Sequence, residues 1–288
     1  MILAIVGPTA VGKTKLSEFL AKKYDAIIIN VDAVQVYKEL NIGSAKPKEN
    51  EMEDVPHYLF DNKSVMDTYT VADFQKDIRT IIDKNKDKNI ILVGGSGLYV
   101  SAALYDYKFS ELEKNNNKYD ELSNQELYNL VKNKYPNFKE HINNRQRLIS
   151  KLKKSDETNL GNKMIYDAKI IGLTTERDIL YKKINERVLS MIEEGLINEV
   201  ENLMQYQNKS RVLNTAIGYK EVVSYLKKEC TKEFMIELIQ KNSRHFAKRQ
   251  YTWFNNKMDV KWFSVDYNDF SNTINEVDKY INAKKNAD

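Results

Sequence analysis

Short apolar runs alternate with amphipathic stretches along most of this chain. Five of these runs, each bounded by charged or turn-forming residues, have the length and composition of buried parallel strands. They occupy residues 2–6, 26–30, 89–95, 169–174 and 260–265. Because helical patterns lie between them, the order of elements predicts a doubly wound parallel sheet covered by helices. The predicted fold class is α/β.

Two stretches in the first third of the chain have helical spacing. Residues 13–24 place Leu16, Phe19 and Leu20 on one face. Residues 70–86 open with the pattern T-x-x-D, which is typical of a capped helix start. The apolar positions of this second helix are Val71, Phe74, Ile78, Ile81 and Ile82. Both helices are expected to pack on the sheet.

The last third of the chain predicts long C-terminal helices. Residues 176–206 and 215–256 each keep a helical pattern over most of their length. In the first stretch we assign the apolar positions to the core. These positions are Ile179, Ile184, Val188, Met191, Ile192 and Leu196.

Residues 107–140 interrupt the alternation of strands and helices. They are polar and rich in Asn, Lys and Glu, with a weak helical pattern around Leu122, Leu127, Leu130 and Val131. One interpretation is a solvated excursion on the surface, and the other is a small helical insertion that covers a substrate. We predict a core made of residues 1–106 and 141–288, with the insertion at 107–140 facing the substrate.

Composition narrows the class of protein only moderately. The chain has 288 residues, of which 42% are hydrophobic and 30% charged, as is ordinary for a globular protein with a sizeable core. The net charge of +4 is too small to indicate nucleic-acid binding by itself. The single cysteine, Cys230, excludes an internal disulfide framework and suits a reducing compartment. No apolar stretch approaches a membrane span or a signal-peptide core, so we expect a cytoplasmic protein.

The segment GPTAVGKT has the spacing G-x-x-x-x-G-K-[ST] of a phosphate-binding loop. It follows a predicted strand and precedes a predicted helix, which is the context that this motif requires. Its glycines let backbone N–H groups approach an anion, the lysine adds a charge, and the threonine offers a hydroxyl to Mg²⁺. The predicted phosphate-binding residues are Gly7, Pro8, Thr9, Ala10, Val11, Gly12, Lys13 and Thr14. The sheet is therefore expected to resemble that of the nucleotide kinases that carry this loop.

The loop alone leaves the reaction open. Most loops of this type bind ATP or GTP beside a strand that ends in an aspartate. Here the corresponding strand ends in Gly94, Gly95 and Ser96, and the acid at a strand end is Asp32. A carboxylate at the carboxyl edge of the sheet is placed to support a metal, to act as a general base, or to cap a turn. A kinase and a transferase that releases diphosphate both remain possible at this point.

Eight segments in order along the chain decide between these possibilities. They are GPTAVGKT (7–14), VDAVQVYKELNIGSAKP (31–47), PHYLFD (56–61), YTVADFQ (69–75), GGSGLY (94–99), INERVLSMIEEGLINEV (184–200), AIGYKE (216–221) and KRQYTWF (248–254). Together they resemble the motifs of the tRNA dimethylallyltransferases, whose second segment reads D-S-x-Q-x-Y followed by I-G-T-A-K-P. The resemblance extends from residue 2 to about residue 265.

This resemblance implies an enzyme that uses its phosphate loop for a prenyl diphosphate instead of ATP. The dimethylallyl group would pass from dimethylallyl diphosphate to the exocyclic amine of the adenosine at tRNA position 37, with Mg²⁺ as cofactor. The catalytic residues it implies are Asp32 as the base, Lys13 at the diphosphate, and Thr14 as the metal ligand. The implied partners are the tRNA anticodon stem-loop and dimethylallyl diphosphate, without a membrane, and we expect a monomer.

The resemblance also implies a set of tRNA-binding residues. They are Asp32, Ala33, Val34, Gln35, Ser96, Gln146, Arg147, Leu148, Ile149, Ser150, Thr215, Ala216, Ile217, Gly218, Tyr219 and Lys220, to which the basic pattern of 241–250 adds Arg244 and Lys248. Gln35 suits adenine because a carboxamide can pair with that base through two hydrogen bonds. The basic side chains suit the phosphate backbone.

Three features depart from the family pattern. Ala33 stands where a serine is usual, and Ser96 replaces the commoner threonine while keeping its hydroxyl. The segment 145–154 lacks part of the usual arginine-rich sequence, and the insertion is short. These changes affect tRNA binding more than the chemistry, and three interpretations are open: a weakened tRNA affinity, a different tRNA set, or a variant typical of a reduced genome.

Two other functions share parts of this sequence pattern. A small-molecule or nucleotide kinase would have the same loop and sheet, and would need arginines such as Arg177, Arg187 or Arg249 to close over a phosphoryl acceptor. A non-catalytic tRNA-binding protein would keep the loop as structure, and replacing Asp32 would then leave its behaviour unchanged.

Overall fold

The computed structural model describes residues 1–48, 51–52, 54–109, 119, 121–139, 141–153, 161 and 163–283, without the side chain of Gln146. The chain forms two compact units. The first comprises Met1–Leu104 and Met164–Asp288, and the second comprises Tyr105–Lys163. The second unit therefore extends past residue 140, where we had placed the end of the insertion.

A parallel sheet of six strands forms the centre of the first unit. The strands are β1 (Ile2–Val6), β2 (Ala26–Asn30), β3 (His57–Tyr58), β4 (Asn89–Val93), β5 (Ala168–Thr174) and β6 (Lys261–Ser264). Their spatial order is β3-β2-β4-β1-β5-β6, and every pair is parallel. The α/β prediction is confirmed. The five predicted strands are present, while β3 escaped prediction because two residues carry no periodicity.

The interior strands are apolar on both faces because helices cover both sides of the sheet. In β1, Leu3 and Ile5 are fully buried, and Ile5 lies opposite Val93 of β4 and Ile171 of β5. The apolar run at 89–95 leaves the sheet after Val93. Its carboxyl end therefore continues as the Gly-Gly-Ser turn at the edge where ligands of open α/β sheets bind.

Eleven helices occur in the described residues. They are α1 (Lys13–Tyr24), α2 (Val71–Lys84), α3 (Gly97–Leu104), α4 (Asn124–Lys134), α5 (Arg145–Lys153), α6 (Arg177–Glu193), α7 (Leu196–Leu203), α8 (Arg211–Thr215), α9 (Tyr219–Leu226), α10 (Lys232–Lys257) and α11 (Phe270–Ala283). Helix α2 starts as predicted, because Thr70 and Asp73 form a reciprocal capping box. None of the described helices is long and apolar enough to cross a membrane.

The two long helical stretches predicted near the C-terminus are each divided. Gly195, with φ of +104°, separates α6 from α7, and residues 227–231, where Lys228 has φ of +62°, separate α9 from α10. Both values lie in the left-handed region that favours glycine. One assigned core position is wrong, since Ile179 is 41% exposed, and Phe19, which we placed on the apolar face of α1, is 43% exposed.

The second unit has a small core of its own. Leu127 and Val131 of α4 pack against Leu148 of α5, and all three are fully buried. Helix α4 carries the helical pattern predicted in the insertion, although Leu130 is 42% exposed. Because α5 supplies part of this core, the unit continues beyond the predicted boundary.

Candidate functional site

The phosphate loop connects β1 to α1 at the carboxyl edge of the sheet. Gly7 has φ of +139°, and a Cβ atom there would lie 2.6 Å from the Leu173 carbonyl oxygen. Gly12 has φ of +83° and stands at the N-cap of α1. The loop thus ends at a helix N-terminus, where backbone N–H groups and the helix dipole favour an anion.

Lys13 points back over the loop. Its Nζ donates a hydrogen bond to the Pro8 carbonyl oxygen at 2.6 Å. Burial lowers the Lys13 pKa to about 8, and the charge of Arg187 acts in the same direction while that of Asp32 opposes it. These three side chains therefore lie within electrostatic range of one another.

Arg187, on α6, brings a second cation to the loop. Burial lowers its pKa, while the charges of Glu194, Asp32 and Glu51 act in the opposite direction. Its guanidinium forms no hydrogen bond or ion pair with any residue that the structure describes. A partly buried guanidinium that lacks a partner and lies near a phosphate loop is suited to a bidentate contact with an anionic oxygen pair. The sequence had suggested this arginine only as a lid of the kinase alternative.

Asp32 follows β2 and is held by the residue that ends that strand. Asn30 is fully buried, and its Oδ1 accepts from the Asp32 N–H at 2.9 Å. Its Nδ2 donates to the carbonyl oxygens of Asp32 at 3.2 Å and Leu59 at 3.0 Å. The Asp32 carboxylate accepts one backbone hydrogen bond, from Val34 at 2.9 Å. One carboxylate oxygen therefore remains for a substrate.

Ser96 lies beside Asp32 because β4 is the neighbour of β2. A Cβ atom on Gly94 would lie 2.6 Å from the Val31 carbonyl group, so the absence of a side chain lets the two strand ends approach closely. The Ala33 N–H is 3.4 Å from the Ser96 hydroxyl oxygen, within hydrogen-bonding distance. Asp32, Ala33 and Ser96 thus form one side of the site, and Lys13 and Arg187 form the other.

Gln250 joins the phosphate loop to this edge. It is buried on α10, its Oε1 accepts from the Thr9 N–H at 3.2 Å, and its Nε2 donates to the Gly95 carbonyl oxygen at 2.9 Å. Three residues later, Trp253 packs so closely on Gly97 that a Cβ atom there would be 2.0 Å from the indole Cδ1. The KRQYTWF segment thus packs against the phosphate loop and the turn that contains Gly95 and Gly97. The sequence pattern did not predict this role.

The end of the first unit also covers the phosphate loop. Tyr267 donates a hydrogen bond from its hydroxyl to the Ala10 carbonyl oxygen at 3.2 Å. The Phe270 ring lies against Gly12, where a Cβ atom would be 2.6 Å from the ring. The loop is therefore enclosed on one side by aromatic side chains from the residues after β6.

Gln35 lies in the loop after Asp32, with its amide oriented by two carbonyl groups. Its Nε2 donates to the carbonyl oxygens of Ser44 and Ala45, both at 3.1 Å. Because both contacts are acceptors, the nitrogen must face them and Oε1 must face away. The predicted two-bond pairing with adenine would need that nitrogen, so in this geometry Gln35 offers an acceptor only.

The other residues predicted to bind tRNA fall into separate places. Leu148 and Tyr219 are fully buried core residues, so their side chains pack the interior instead of facing RNA. Arg244 donates to Asn185 Oδ1 at 2.6 Å and lies over the Tyr181 ring. The exposed positions in the prediction are Arg147, Ser150, Thr215 and Lys248, while Val34, Ile149, Ala216, Ile217 and Lys220 are partly exposed. The Gln146 side chain lies outside the described residues.

The second unit carries a groove of its own, of about 650 Å³. Its lining combines Tyr135 and Phe138 with Arg147, Ser150 and Lys151. The Lys151 ammonium lies 3.9 Å from the centre of the Tyr135 ring. Two residues predicted to bind tRNA, Arg147 and Ser150, therefore face a basic and aromatic surface.

The parallel sheet, the loop at the N-terminus of α1 and the cations around it define the class of P-loop proteins that handle phosphorylated substrates. A family model for IPP transferase matches residues 35–257. The tRNA dimethylallyltransferase of Anoxybacillus flavithermus is 40% identical over 98% of this chain and 96% of its own length. That of Macrococcus caseolyticus is 41% identical over 92% of this chain and 90% of its own length.

A solved structure agrees. The full-length tRNA isopentenylpyrophosphate transferase of Bacillus halodurans superposes with a TM-score of 0.76 at 38% identity, covering 98% of this chain and 96% of that one. The chain belongs to the IPP transferase family of tRNA dimethylallyltransferases. The resemblance predicted from the eight sequence segments is confirmed, and the family assignment favours a transferase over a kinase.

Proposed function

We propose that this protein transfers the dimethylallyl group of dimethylallyl diphosphate to the exocyclic amine of adenosine 37 of tRNA, giving isopentenyladenosine. The observation that carries the proposal is that Asp32, just after β2, and the phosphate loop, just after β1, lie at the same edge of the sheet on either side of β4. The reaction needs a base next to an anion site, because the prenyl donor loses diphosphate while the adenine amine loses a proton.

The cationic side of the site would bind and stabilise the leaving group. When the bond between the allylic carbon and the diphosphate oxygen breaks, the electron pair stays on the diphosphate. The loop N–H groups, Lys13 and Arg187 are positioned before the reaction, so they stabilise that charge without reorganisation. Lys13 would exchange its hydrogen bond with the Pro8 carbonyl for one with a diphosphate oxygen.

Asp32 would act on the nucleophile. The adenine amine forms the new carbon–nitrogen bond, and its proton passes to the Asp32 carboxylate. Such general-base assistance contributes roughly 10²–10⁴-fold to the rate. Asn30 fixes the Asp32 backbone on both sides, which limits the positions that the carboxylate can take.

The residues present fit a magnesium ion. No group of three His, Cys, Asp or Glu side chains forms a metal site in the described part of the chain. Mg²⁺ bound with a phosphorylated substrate needs few protein ligands, because phosphate oxygens and water supply the rest. The Thr14 hydroxyl stands in the first turn of α1, makes no side-chain hydrogen bond to a described residue, and is the ligand we propose. When bound, the ion would neutralise charge on the diphosphate.

We propose that tRNA contacts both units. On the first, Ser96, Gln35 and the 215–220 segment would meet the anticodon loop, and Lys248 would contact phosphates. On the second, the groove of Tyr135, Phe138, Arg147, Ser150 and Lys151 has the mixture of aromatic and basic side chains that single-stranded RNA binds. A monomeric state remains a prediction. We also propose a cytoplasmic location, since Cys230 is a free thiol.

Mass analysis of tRNA nucleosides tests the proposal. Unmodified tRNA is incubated with the protein, Mg²⁺ and either dimethylallyl diphosphate or ATP. Isopentenyladenosine should form only with the prenyl donor, and only at position 37, and the Asp32→Ala variant should lose this product. Consumption of ATP without a modified nucleoside would instead support a kinase.

A further inference from the structure

We propose that Glu199 is a positioning residue that fixes the turn at residues 41–43 and, through that turn, the orientation of Gln35. The inference rests on the proposed function, because it takes the group read by Gln35 to be the adenine of the substrate RNA. Glu199 lies on α7, distant in sequence from both the phosphate loop and the turn that it holds.

The Glu199 carboxylate accepts hydrogen bonds from three consecutive backbone N–H groups. Its Oε2 accepts from Asn41 at 3.0 Å and from Ile42 at 2.8 Å, and its Oε1 accepts from Gly43 at 3.2 Å. Hydrogen bonds to a charged acceptor are about twice as strong as neutral ones. One side chain of α7 therefore accepts hydrogen bonds from all three backbone N–H groups of the turn at residues 41–43, in the loop that follows Asp32.

Tyr219 completes the arrangement from α9. Its hydroxyl donates to Glu199 Oε1 at 2.8 Å. Burial, followed by the charge of Glu199, raises the Tyr219 pKa, so the phenol stays protonated and remains a donor. A Cβ atom on Gly43 would lie 2.7 Å from this ring. The aromatic ring therefore supports the turn directly, and a residue larger than glycine would displace it.

The turn at residues 41–43 also determines where the carbonyl groups that bind Gln35 lie. The next two residues, Ser44 and Ala45, present the carbonyl oxygens that take both N–H groups of the Gln35 amide. No described residue donates to Gln35 Oε1. The exocyclic amine of adenine is a hydrogen-bond donor, so the oxygen left outward has the chemistry to accept from it. If the turn moved, the carboxamide could rotate and present its nitrogen instead.

The carboxylate is not needed to hold α7 itself. Leu196 and Val200 of this helix are fully buried in the same apolar cluster as Leu213 and Val222. These contacts secure α7 whether or not residue 199 carries a charge. Replacing Glu199 should therefore alter the turn more than the stability of the fold.

Steady-state kinetics of Glu199→Gln test the proposal, with an anticodon stem-loop and dimethylallyl diphosphate as substrates. The exposed Glu201→Gln on the same helix is the matched control. We expect KM for the stem-loop to rise about tenfold in Glu199→Gln, while KM for the prenyl diphosphate and the Tm stay close to wild type. Glu201→Gln should match the wild type in all three.

A double-mutant cycle with Gln35→Ala tests whether Glu199 acts through Gln35. If Glu199 acts through Gln35, adding Glu199→Gln to Gln35→Ala should raise KM for the stem-loop little further. Full additivity, an equal rise in KM for the prenyl diphosphate, or a fall in Tm with unchanged KM for the stem-loop would each overturn the proposal. Absence of prenyl transfer by the wild type would instead count against the proposed function.

Discussion

The two sides of the site are held in place in different ways. The phosphate loop is a contiguous segment, shaped by its own glycines and by the contact of Lys13 with Pro8. The loop after Asp32 is irregular and depends on distant partners: Asn30 joins it to Leu59, and Glu199 joins it to α7. The backbone of the phosphate loop is therefore shaped mainly by its own sequence, with added support from Gln250, Tyr267 and Phe270, whereas the backbone around Asp32 depends mainly on distant residues and is open to damage from remote substitutions.

Asp32→Asn should have the largest effect, because it removes the proposed proton acceptor while keeping the shape of the side chain. We expect the single-turnover rate of prenyl transfer to fall roughly 10²–10⁴-fold. Binding of dimethylallyl diphosphate should change little. Asp25→Asn, at an exposed left-handed position after α1, is the matched control and should react at the wild-type rate. An Asp32 variant as fast as the wild type would exclude the base assignment.

Arg187→Leu tests the anion side. Loss of a preorganised cation at the leaving group should lower the rate by about 10²–10³-fold, the range typical of a lost oxyanion contact. The affinity for inorganic diphosphate, measured by calorimetry, should fall as well. Arg177→Leu, an exposed arginine on the same helix, should leave diphosphate affinity unchanged. The opposite ranking of the two variants would contradict the site described here.

Gln250→Leu separates local from long-range support of the phosphate loop. The change leaves the buried Gly95 carbonyl oxygen without its partner, which costs about 1–3 kcal/mol, and it also removes the acceptor of the part-buried Thr9 N–H. Urea denaturation should show this loss, and diphosphate affinity should fall with it. Gln240 lies on the same helix, and its Nε2 makes one 3.4 Å contact, to the Asn185 carbonyl oxygen of α6. Gln240→Leu should therefore have a smaller effect on both stability and diphosphate affinity. If Gln250→Leu and Gln240→Leu were equally stable, the hydrogen bonds of Gln250 would not support the phosphate loop.

The pH dependence of diphosphate binding gives the smallest effect. Because the Lys13 pKa is lowered to about 8, the lysine loses its charge as the pH rises through that value. The contribution of Lys13 to the affinity for inorganic diphosphate should therefore be constant below pH 8 and weaken by up to tenfold per unit above it. Lys13→Arg keeps its charge throughout and should remove this dependence while retaining any that comes from the ligand. An unchanged profile in that variant would assign the titration to another group.

Much of the fold and the centre of the site could be predicted from the sequence. The strands, the phosphate loop and Asp32 are recognisable because the pattern that identifies each one lies within a few adjacent residues. Gln250, Asn30 and Glu199 were missed because their roles exist only after distant segments meet. Arg187 was noticed, but its position beside Lys13 depends on how α6 packs, which periodicity does not specify.

The aromatic cover of the phosphate loop has a consequence for biosynthesis. The loop is synthesised more than 250 residues before Tyr267 and Phe270, which enclose it. Until those residues are made, one side of this glycine-rich turn in the nascent chain lacks its aromatic cover. Full competence to bind a ligand therefore comes only after the residues that follow β6 have been made.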